Sequence, residues 1–404
     1  MREDVELLIA GGGLTGLLLG IACAGSGLDV AVVDRQDPLA LLADDFDGRS
    51  SAISYGSHRV LNAIGLWPQL ASDAEPIREI RVADDTSPLF LHYDHRDLEP
   101  SVPLGFIIEN RLLRRAMIDR ANSIQSLRLL MPVTVVSVST SALGATAELS
   151  DGQEVRARLV AAADGSASPL RRAAGIRTVE WRYPQTGIVT TVRHDRPHNG
   201  VAVEHFRPAG PFAILPMTGH RSSIVWTERA ELAPRLVDLP DAAFAAELAA
   251  RFGDFLGSVE PIGPRWTYPL TLLLAETYVA PRLALVGEAA HTIHPIAGQG
   301  LNVGIRDIAA LAELVIDARR LGLDIGAGSL LLHYQQWRRF DTMALAAVTD
   351  GLNRLFSNSL APVRLARDVG LTVVNRLPPL KRLLMRDAMG VVGDLPRLVR
   401  GEPL

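Results

Sequence analysis

Residues 5–16 read V-E-L-L-I-A-G-G-G-L-T-G, and the chain's architecture turns on them. Val5 to Ala10 has the length and apolar content of a buried strand, and apolar spacing from Leu14 through Ala24 predicts a helix. Between them stand Gly11, Gly12 and Gly13, with Gly16 one turn further on. Asp29 to Val33 predicts a second strand, which delivers Asp34 and Arg35 at its end. A G-x-G-x-x-G carries little information alone. Set between a strand and a helix, with an acid closing the next strand, it is the dinucleotide fingerprint. In that geometry Gly11 makes the turn, Gly13 lets a pyrophosphate approach the backbone, and Gly16 lets helix and strand pack closely. Asp34 accepts hydrogen bonds from an adenosine ribose. A Rossmann-like α/β fold class follows.

Working outward, 404 residues suit two or three domains with a real core. Hydrophobic residues at 48% and charged residues at 21% describe a folded globular chain. A net charge of −4 gives no pointer to nucleic acid. The charge is uneven, because residues 354–400 hold nine Arg or Lys against three Asp. The single cysteine, Cys23, excludes an intramolecular disulfide, a dithiol pair and a cysteine-ligated iron–sulfur cluster. Met1-Arg2-Glu3-Asp4 runs straight into the first strand, and no apolar run reaches membrane-spanning length, so a cytoplasmic protein is expected, at most peripheral on a membrane face.

Three further stretches carry chemistry. Residues 287–307 read G-E-A-A-H-T-I-H-P-I-A-G-Q-G-L-N-V-G-I-R-D, after a short apolar strand at Leu283 to Val286 and before an amphipathic helix. Gly298 and Gly300 let backbone N–H groups approach a ligand where the helix presents its partly positive end, which suits an anion or a ring that becomes anionic. A tight turn without a ligand is the plainer reading of the same residues. His291 and His294 lack a third ligand nearby, and no metal is expected. Arg49-Ser50-Ser51-Ala52-Ile53-Ser54 precedes a helical pattern from Ser57 to Leu66, and Glu109-Asn110-Arg111 opens another. The strand Arg156 to Ala161 leads into Ala163-Asp164-Gly165-Ser166, with Ser168 and Arg171 starting a helix.

His294-Pro295-Ile296-Ala297-Gly298-Gln299-Gly300, with Asn302, Gly304 and Asp307 at their spacings, resembles the signature of the ubiquinone-biosynthesis hydroxylases. These are a branch of the FAD-dependent aromatic monooxygenases typified by para-hydroxybenzoate hydroxylase. The resemblance implies a Rossmann-like FAD-binding domain with an inserted, mainly β-sheet substrate domain and a C-terminal helical segment. The expected division is 1–75, 109–178 and 271–345 for FAD binding, 76–108 and 179–270 for the substrate domain, and 346–404 for the C-terminal helices.

By the same resemblance FAD is held by Gly11, Gly13, Leu14, Thr15, Gly16, Asp34 and Arg35. Arg49 reaches toward the pyrophosphate, Arg111 lies close to the cofactor, and Asp164 holds the Asp-Gly loop. Gly287 and Glu288 occupy the family's Gly-Asp position at the ribityl chain, with Glu in place of Asp. Pro295 lies beside the reacting edge of the isoalloxazine, and Gly298, Gln299, Gly300, Leu301 and Asn302 offer backbone donors to its N1 and C2 carbonyl side. Pro295, Gly298 and Gln299 are thereby the expected catalytic positions.

The resemblance also implies a reaction. NADH or NADPH reduces FAD, O2 gives the flavin C4a-hydroperoxide, and one oxygen passes to the ring of a polyprenyl phenol. A hydroxylase of a small soluble aromatic acid and a non-catalytic flavin-binding subunit use the same motifs. Short alternating runs from Thr178 to Thr227 predict the inserted sheet, in which Phe206, Phe212, Pro216 and Trp226 are either pocket lining or core. Val363 to Leu377 and Leu380 to Met389 predict basic amphipathic helices that rest on a membrane or an enzyme complex, or pack on the chain's own body.

Overall fold

The computed structural model describes residues 2–38, 47–84, 90–294, 298–356, 374 and 376–404. Its first sheet is built on Arg2–Ala10, which pairs in parallel with Val30–Val33 on one side and Glu154–Ala162 on the other. Leu127–Leu130 extends the sheet beyond Val30–Val33, and Leu283–Leu285 extends it beyond Glu154–Ala162, both in parallel. Val5, Leu7, Leu8 and Ile9 and all of Val30–Val33 are buried. Covering by helices explains that run of apolar residues without alternation. The helices Leu14–Gly25 and Gln299–Arg320 pack against each other over the sheet. The hairpin Val135–Thr140 and Ala145–Leu149 joins the edge of Glu154–Ala162 antiparallel.

The second sheet runs in the order His291–Thr292, Val259–Ala275, Thr178–His194, Arg221–Arg229, Gly210–Met217, Val201–Arg207, Glu79–Asp84, Phe90–Asp94. All its neighbours are antiparallel except Val201–Arg207 with Glu79–Asp84. Thr178–His194 and Val259–Ala275 are each 17 residues long. Pro184 and Gly187 interrupt the sequence pattern of the first, and the ladder absorbs the interruption as a register shift between Arg182 and Thr186. A third sheet, Ser50–Ser54 with Gly105–Glu109 and Glu75–Ile77, was not legible as strands.

Alternation decides the two faces of the second sheet. Phe212, Ile214, Ile224 and Trp226 face outward and pack under the helix Asp241–Phe252, against Phe244, Leu248 and Phe252. Phe212 and Trp226 are therefore core. Phe206, on the other face, packs with Leu91 and Leu355.

A single helix, Gly328–Phe356, runs through the boundary expected at residue 346. After it, the described part of the tail folds back on the body. The helix Pro378–Ala388 sends Met385, and the following residue Met389, into a cluster with Ile77, Leu104 and Ala202. Lys381 pairs with Asp97 at 2.7 Å, and the Gly56 N–H donates to the Met389 carbonyl at 2.8 Å. Packing on the chain's own body thus holds for residues 378–389, whereas 363–373 lie outside the described residues. No helix among the described residues is long and apolar enough to cross a membrane.

Candidate active site

The glycine loop sits at the carboxyl ends of the parallel strands, where open α/β sheets bind ligands. Gly11 adopts φ +107°, and a Cβ there would lie 2.2 Å from the Ala163 carbonyl oxygen. A Cβ on Gly16 would lie 1.8 Å from the Gly11 carbonyl oxygen, so only glycine lets the helix come this close to the strand. Gly13 is the opposite case: nothing lies within 4 Å of where its Cβ would be. It caps the helix Leu14–Gly25 in an extended conformation with no side-chain cap. The N–H groups around Leu14 and Thr15 are left for an anion. The space and donors fit a pyrophosphate. Asp34 accepts from Gly12 N–H at 2.6 Å and from Gln36 N–H at 2.8 Å, so it shapes the loop, and its remaining lone pairs would fit a ribose hydroxyl. Arg35 is exposed.

Two other loops converge on this one. Gly287 has φ +61°, and a Cβ on it would come 2.9 Å from Thr15 Cγ2; Gly304 packs on the same threonine. Glu288 is exposed on the turn Gly287–Ala289. Asp164 Oδ2 accepts from Leu170 N–H at 3.2 Å, while its buried Oδ1 has no partner among the described residues. Burial pushes the Asp164 carboxyl above its ordinary range, against hydrogen bonds from Ser168 and Leu170.

Arg171, buried to 5% exposure, stitches the loops together. It donates to the Ala289 carbonyl at 2.8 Å and to the Ser166 carbonyl at 2.7 Å. Sequence reading gave it no role beyond starting a helix. Arg171→Met keeps the stem and removes both bonds. It is expected to destabilise the fold by about 1–3 kcal/mol, because the buried Ala289 carbonyl loses a charge-assisted partner and the exposed Ser166 turn loses its tether. FAD occupancy of the purified variant should fall in parallel, and wild-type occupancy would sink the assignment.

Gly298, at φ +62° and ψ +29°, caps the helix Gln299–Arg320. Its Cβ would sit 2.7 Å from that of Ala52, while Gly300 faces open space. Asn302 ties the helix start to the strand Ser50–Ser54. Its Oδ1 accepts from Ser54 N–H at 2.9 Å, and its Nδ2 donates to the Ala52 carbonyl at 2.9 Å. Gln299 is buried with Nε2 3.4 Å from the Ala388 carbonyl, and Leu301 is half-buried. Pro295 lies outside the described residues.

The two arginines expected near the cofactor stand together where the small third sheet meets the large one. Arg49 donates to Asp47 at 2.8 and 3.0 Å and stacks over Trp266, 4.8 Å from the ring centroid. Arg111 Nε donates to Glu109 at 2.7 Å, and Arg221 reaches the same carboxylate at 2.9 Å.

The histidines part company. His291 Nε2 lies 2.6 Å from Asp307, which also takes the Gly287 N–H. His294 is fully buried, its ring edge-on to Tyr183 at 5.0 Å, and neither ring nitrogen has a partner among the described residues. Burial pushes its pKa down from 6.5 to about 4, only partly opposed by Asp350. A folded-state pKa below the unfolded one means the stability contribution is complete above pH 6.5 and is lost as pH falls toward 4. The loss is on the order of 3 kcal/mol. Urea unfolding between pH 7 and 4 should show that slope, and His294→Leu should flatten it.

Between the inner face of the large sheet and Gly298 lies a cavity of about 100 Å³, open at its mouth. Ala52, Ile77, Ile80, Ala213, Leu215 and Val225 make it apolar. Its polar side chains are Glu204 and Thr227, and no Lys, Arg or His lines it among the described residues. Neither polar residue was singled out in the sequence. Each sits in an alternating strand where nothing local tells a pocket face from a solvent face.

A model of the FAD binding domain matches residues 4–347. The chain is 54% identical to ubiquinone hydroxylase UbiL of Rhodospirillum rubrum, over 99% of this chain and 93% of that protein. It is 33% identical to the 3-demethoxyubiquinol 3-hydroxylase of Escherichia coli, over 96% and 100% of the two chains. Among solved structures, p-nitrophenol 4-monooxygenase PnpA of Pseudomonas putida superposes with a TM-score of 0.79 at 19% identity, covering 96% of this chain and 98% of that one, which shows the shared fold. With its glycine loop, Asp-Gly loop and Gly298 helix start gathered at one edge of the first sheet, the chain belongs to the ubiquinone-biosynthesis hydroxylases and is an FAD-dependent monooxygenase.

Proposed function

We propose that the chain hydroxylates the aromatic ring of a polyprenyl phenol in ubiquinone biosynthesis, with NADH or NADPH as reductant. The balance is ring C–H plus NAD(P)H, H⁺ and O2, giving ring C–OH, NAD(P)⁺ and water. Bound FAD supplies the electron transfer and oxygen activation; the protein supplies position, electrostatics and exclusion of water.

The observation that carries this reading is the cavity against Gly298. Apolar walls suit a prenylated ring, and they keep bulk water from the reacting atoms. The absence of a cation among the described lining residues favours a neutral phenol over a small aromatic acid, whose carboxylate would be buried without a partner. The helix N-termini at Gly13 and Gly298 supply fixed partial positive charge, the first for a pyrophosphate and the second for a ring gaining negative charge on reduction. The substrate's partition into lipid calls for work at the membrane face, with the exposed basic residues Arg382 and Arg386 beside it.

A lipid profile of cells lacking the protein tests the proposal. Accumulation of one polyprenyl phenol short of a ring oxygen is the expected result. An unchanged ubiquinone profile without a precursor, together with NAD(P)H oxidation stimulated by a soluble aromatic acid, would replace this reading with the acid hydroxylase.

A further inference from the structure

We infer that a second pocket, walled by Arg59 and Arg386, binds a phosphate group, and that its shape and charge suit the headgroup of an anionic phospholipid. The site stands independently of the proposed phenol hydroxylation; only its use in substrate delivery rests on that reading.

The fold brings the two arginines together from distant parts of the chain. The helix Tyr55–Ala63 meets the end of the tail helix Pro378–Ala388 at one point. There the Gly56 N–H donates to the Met389 carbonyl, and a Cβ on Gly56 would come 2.5 Å from the Gly390 carbonyl oxygen, so only glycine permits the approach. Arg59 stands three residues after Gly56, and Arg386 three residues before Met389. Residues three apart share a helix face, so both arginines flank that contact. Beside it they line a pocket of about 140 Å³, ample for a phosphate, with Tyr55 and His95 in its wall.

Arg59 is set in place before any ligand arrives. Its guanidinium lies over the Tyr55 ring, 4.7 Å from the centroid, and its stem passes 3.8 Å from where a Cβ on Gly401 would be. Neither Arg59 nor Arg386 has a carboxylate partner among the described residues. The acids beside them are taken: Asp97 pairs with Lys381, and Glu402 with Arg400. Glu99 lines the pocket and forms no ion pair with either arginine. Two cations at one pocket repel; an anion between them removes the repulsion and takes charge-assisted hydrogen bonds from both. Two arginines against one glutamate leave one net positive charge, which matches a phosphodiester monoanion better than a phosphate monoester near its second ionisation.

The floor of the pocket is apolar, made by Leu98, Val102, Leu104 and Met389. Free phosphate gains nothing from such a floor, whereas the glycerol and first acyl carbons of a lipid cover it. Arg382 and Leu383, the latter 52% exposed, stand on the outward side of the same tail helix. Leu104 and Met389 share one apolar cluster with Ile77, which lines the substrate cavity. A lipid held by the arginines therefore brings that cavity to the bilayer from which a prenylated ring enters.

The test uses FAD-loaded full-length enzyme. Calorimetric titration with monomeric dihexanoyl phosphatidylglycerol, dihexanoylglycerol and inorganic phosphate reads the site. Sedimentation with phosphatidylcholine vesicles, with and without phosphatidylglycerol, reads the membrane. Wild type should bind the phosphatidylglycerol about 10-fold or more above the neutral diacylglycerol and sediment with the anionic vesicles. Arg59→Gln and Arg386→Gln should each lose about 10-fold toward it. Arg382→Gln removes an equal charge from the same helix outside the pocket and should change the affinity less than about 2-fold. Arg386 is exposed, so its variant keeps the fold even where Arg59→Gln does not. Inorganic phosphate bound as tightly as the lipid, with vesicles ignored, would keep the arginine site and make soluble phosphate its source. Equal weakening in all three variants would reduce the effect to general charge attraction and overturn the site, as would a wild type that binds none of the probes. Neither result bears on the phenol reading, which the cellular lipid profile decides.

Discussion

Asp307→Ala is expected to lose roughly 3–5 kcal/mol of stability, the range for removing one partner of a buried ion pair. It should be purified largely without FAD. Asp307 is wholly buried and accepts from Gly287 N–H at 3.1 Å, from His291 at 2.6 Å and from Arg338 Nε at 2.8 Å. Arg338 is itself buried, and Asp341, shared with Arg306, is its other carboxylate partner. Alanine would leave Arg338 half-compensated beside a void and untether the Gly287 turn from the Gln299–Arg320 helix. Against a total stability of about 5–15 kcal/mol, that is a large share.

Burial alone would raise the Asp307 pKa, but His291 and Arg338 outweigh it and hold the carboxyl below its ordinary range. Its contribution is therefore present above the unfolded carboxylate pKa and lost only as pH falls through the lower folded value. Denaturant unfolding with FAD stoichiometry on the same samples checks the point. A wild-type midpoint for Asp307→Ala would refute the structural role of the network.

Gly13→Asp and Gly16→Val should fail in different ways. At Gly13 the backbone is extended, with φ −67°, and the Cβ position is open, so an aspartate is accommodated without strain. Its carboxylate would stand where the pyrophosphate must bind. Like charges about 4 Å apart repel by about 4 kcal/mol at an effective dielectric constant near 20, on the order of 10²–10³-fold in affinity. The variant should unfold like wild-type apoprotein and yet hold little FAD. At Gly16 a side chain meets the Gly11 carbonyl oxygen at 1.8 Å, and a backbone atom cannot rotate away. Gly16→Val is expected to cost the apoprotein about 1–3 kcal/mol or more, as overpacking does. Calorimetry of the two apoproteins separates the cases. Equal destabilisation would mean that the open space at Gly13 does not reflect a ligand site.

Sequence alone determined the parts whose signal is local. Val5–Ala10, the glycine turn and Asp34 declare a strand, a helix and a second strand, because burial on both faces leaves a continuous apolar run and a pyrophosphate loop needs glycine at set positions. The 287–307 stretch was legible for the same reason, and the family with its FAD followed from it. What depended on contacts distant in sequence was not legible. Asp307 reaches back 20 residues to Gly287 and forward 31 to Arg338, and Arg171 bonds Ala289 across 118 residues. Period-two alternation places Phe212 with Trp226 on one face and Ala213 with Val225 on the other, yet it does not say which face a helix will cover. Only the packing of Asp241–Phe252 on one face and Gly298 opposite the other decided that the aromatics are core and that Glu204 and Thr227 line the cavity. Local pattern fixes which residues share a face; the tertiary structure decides what each face meets.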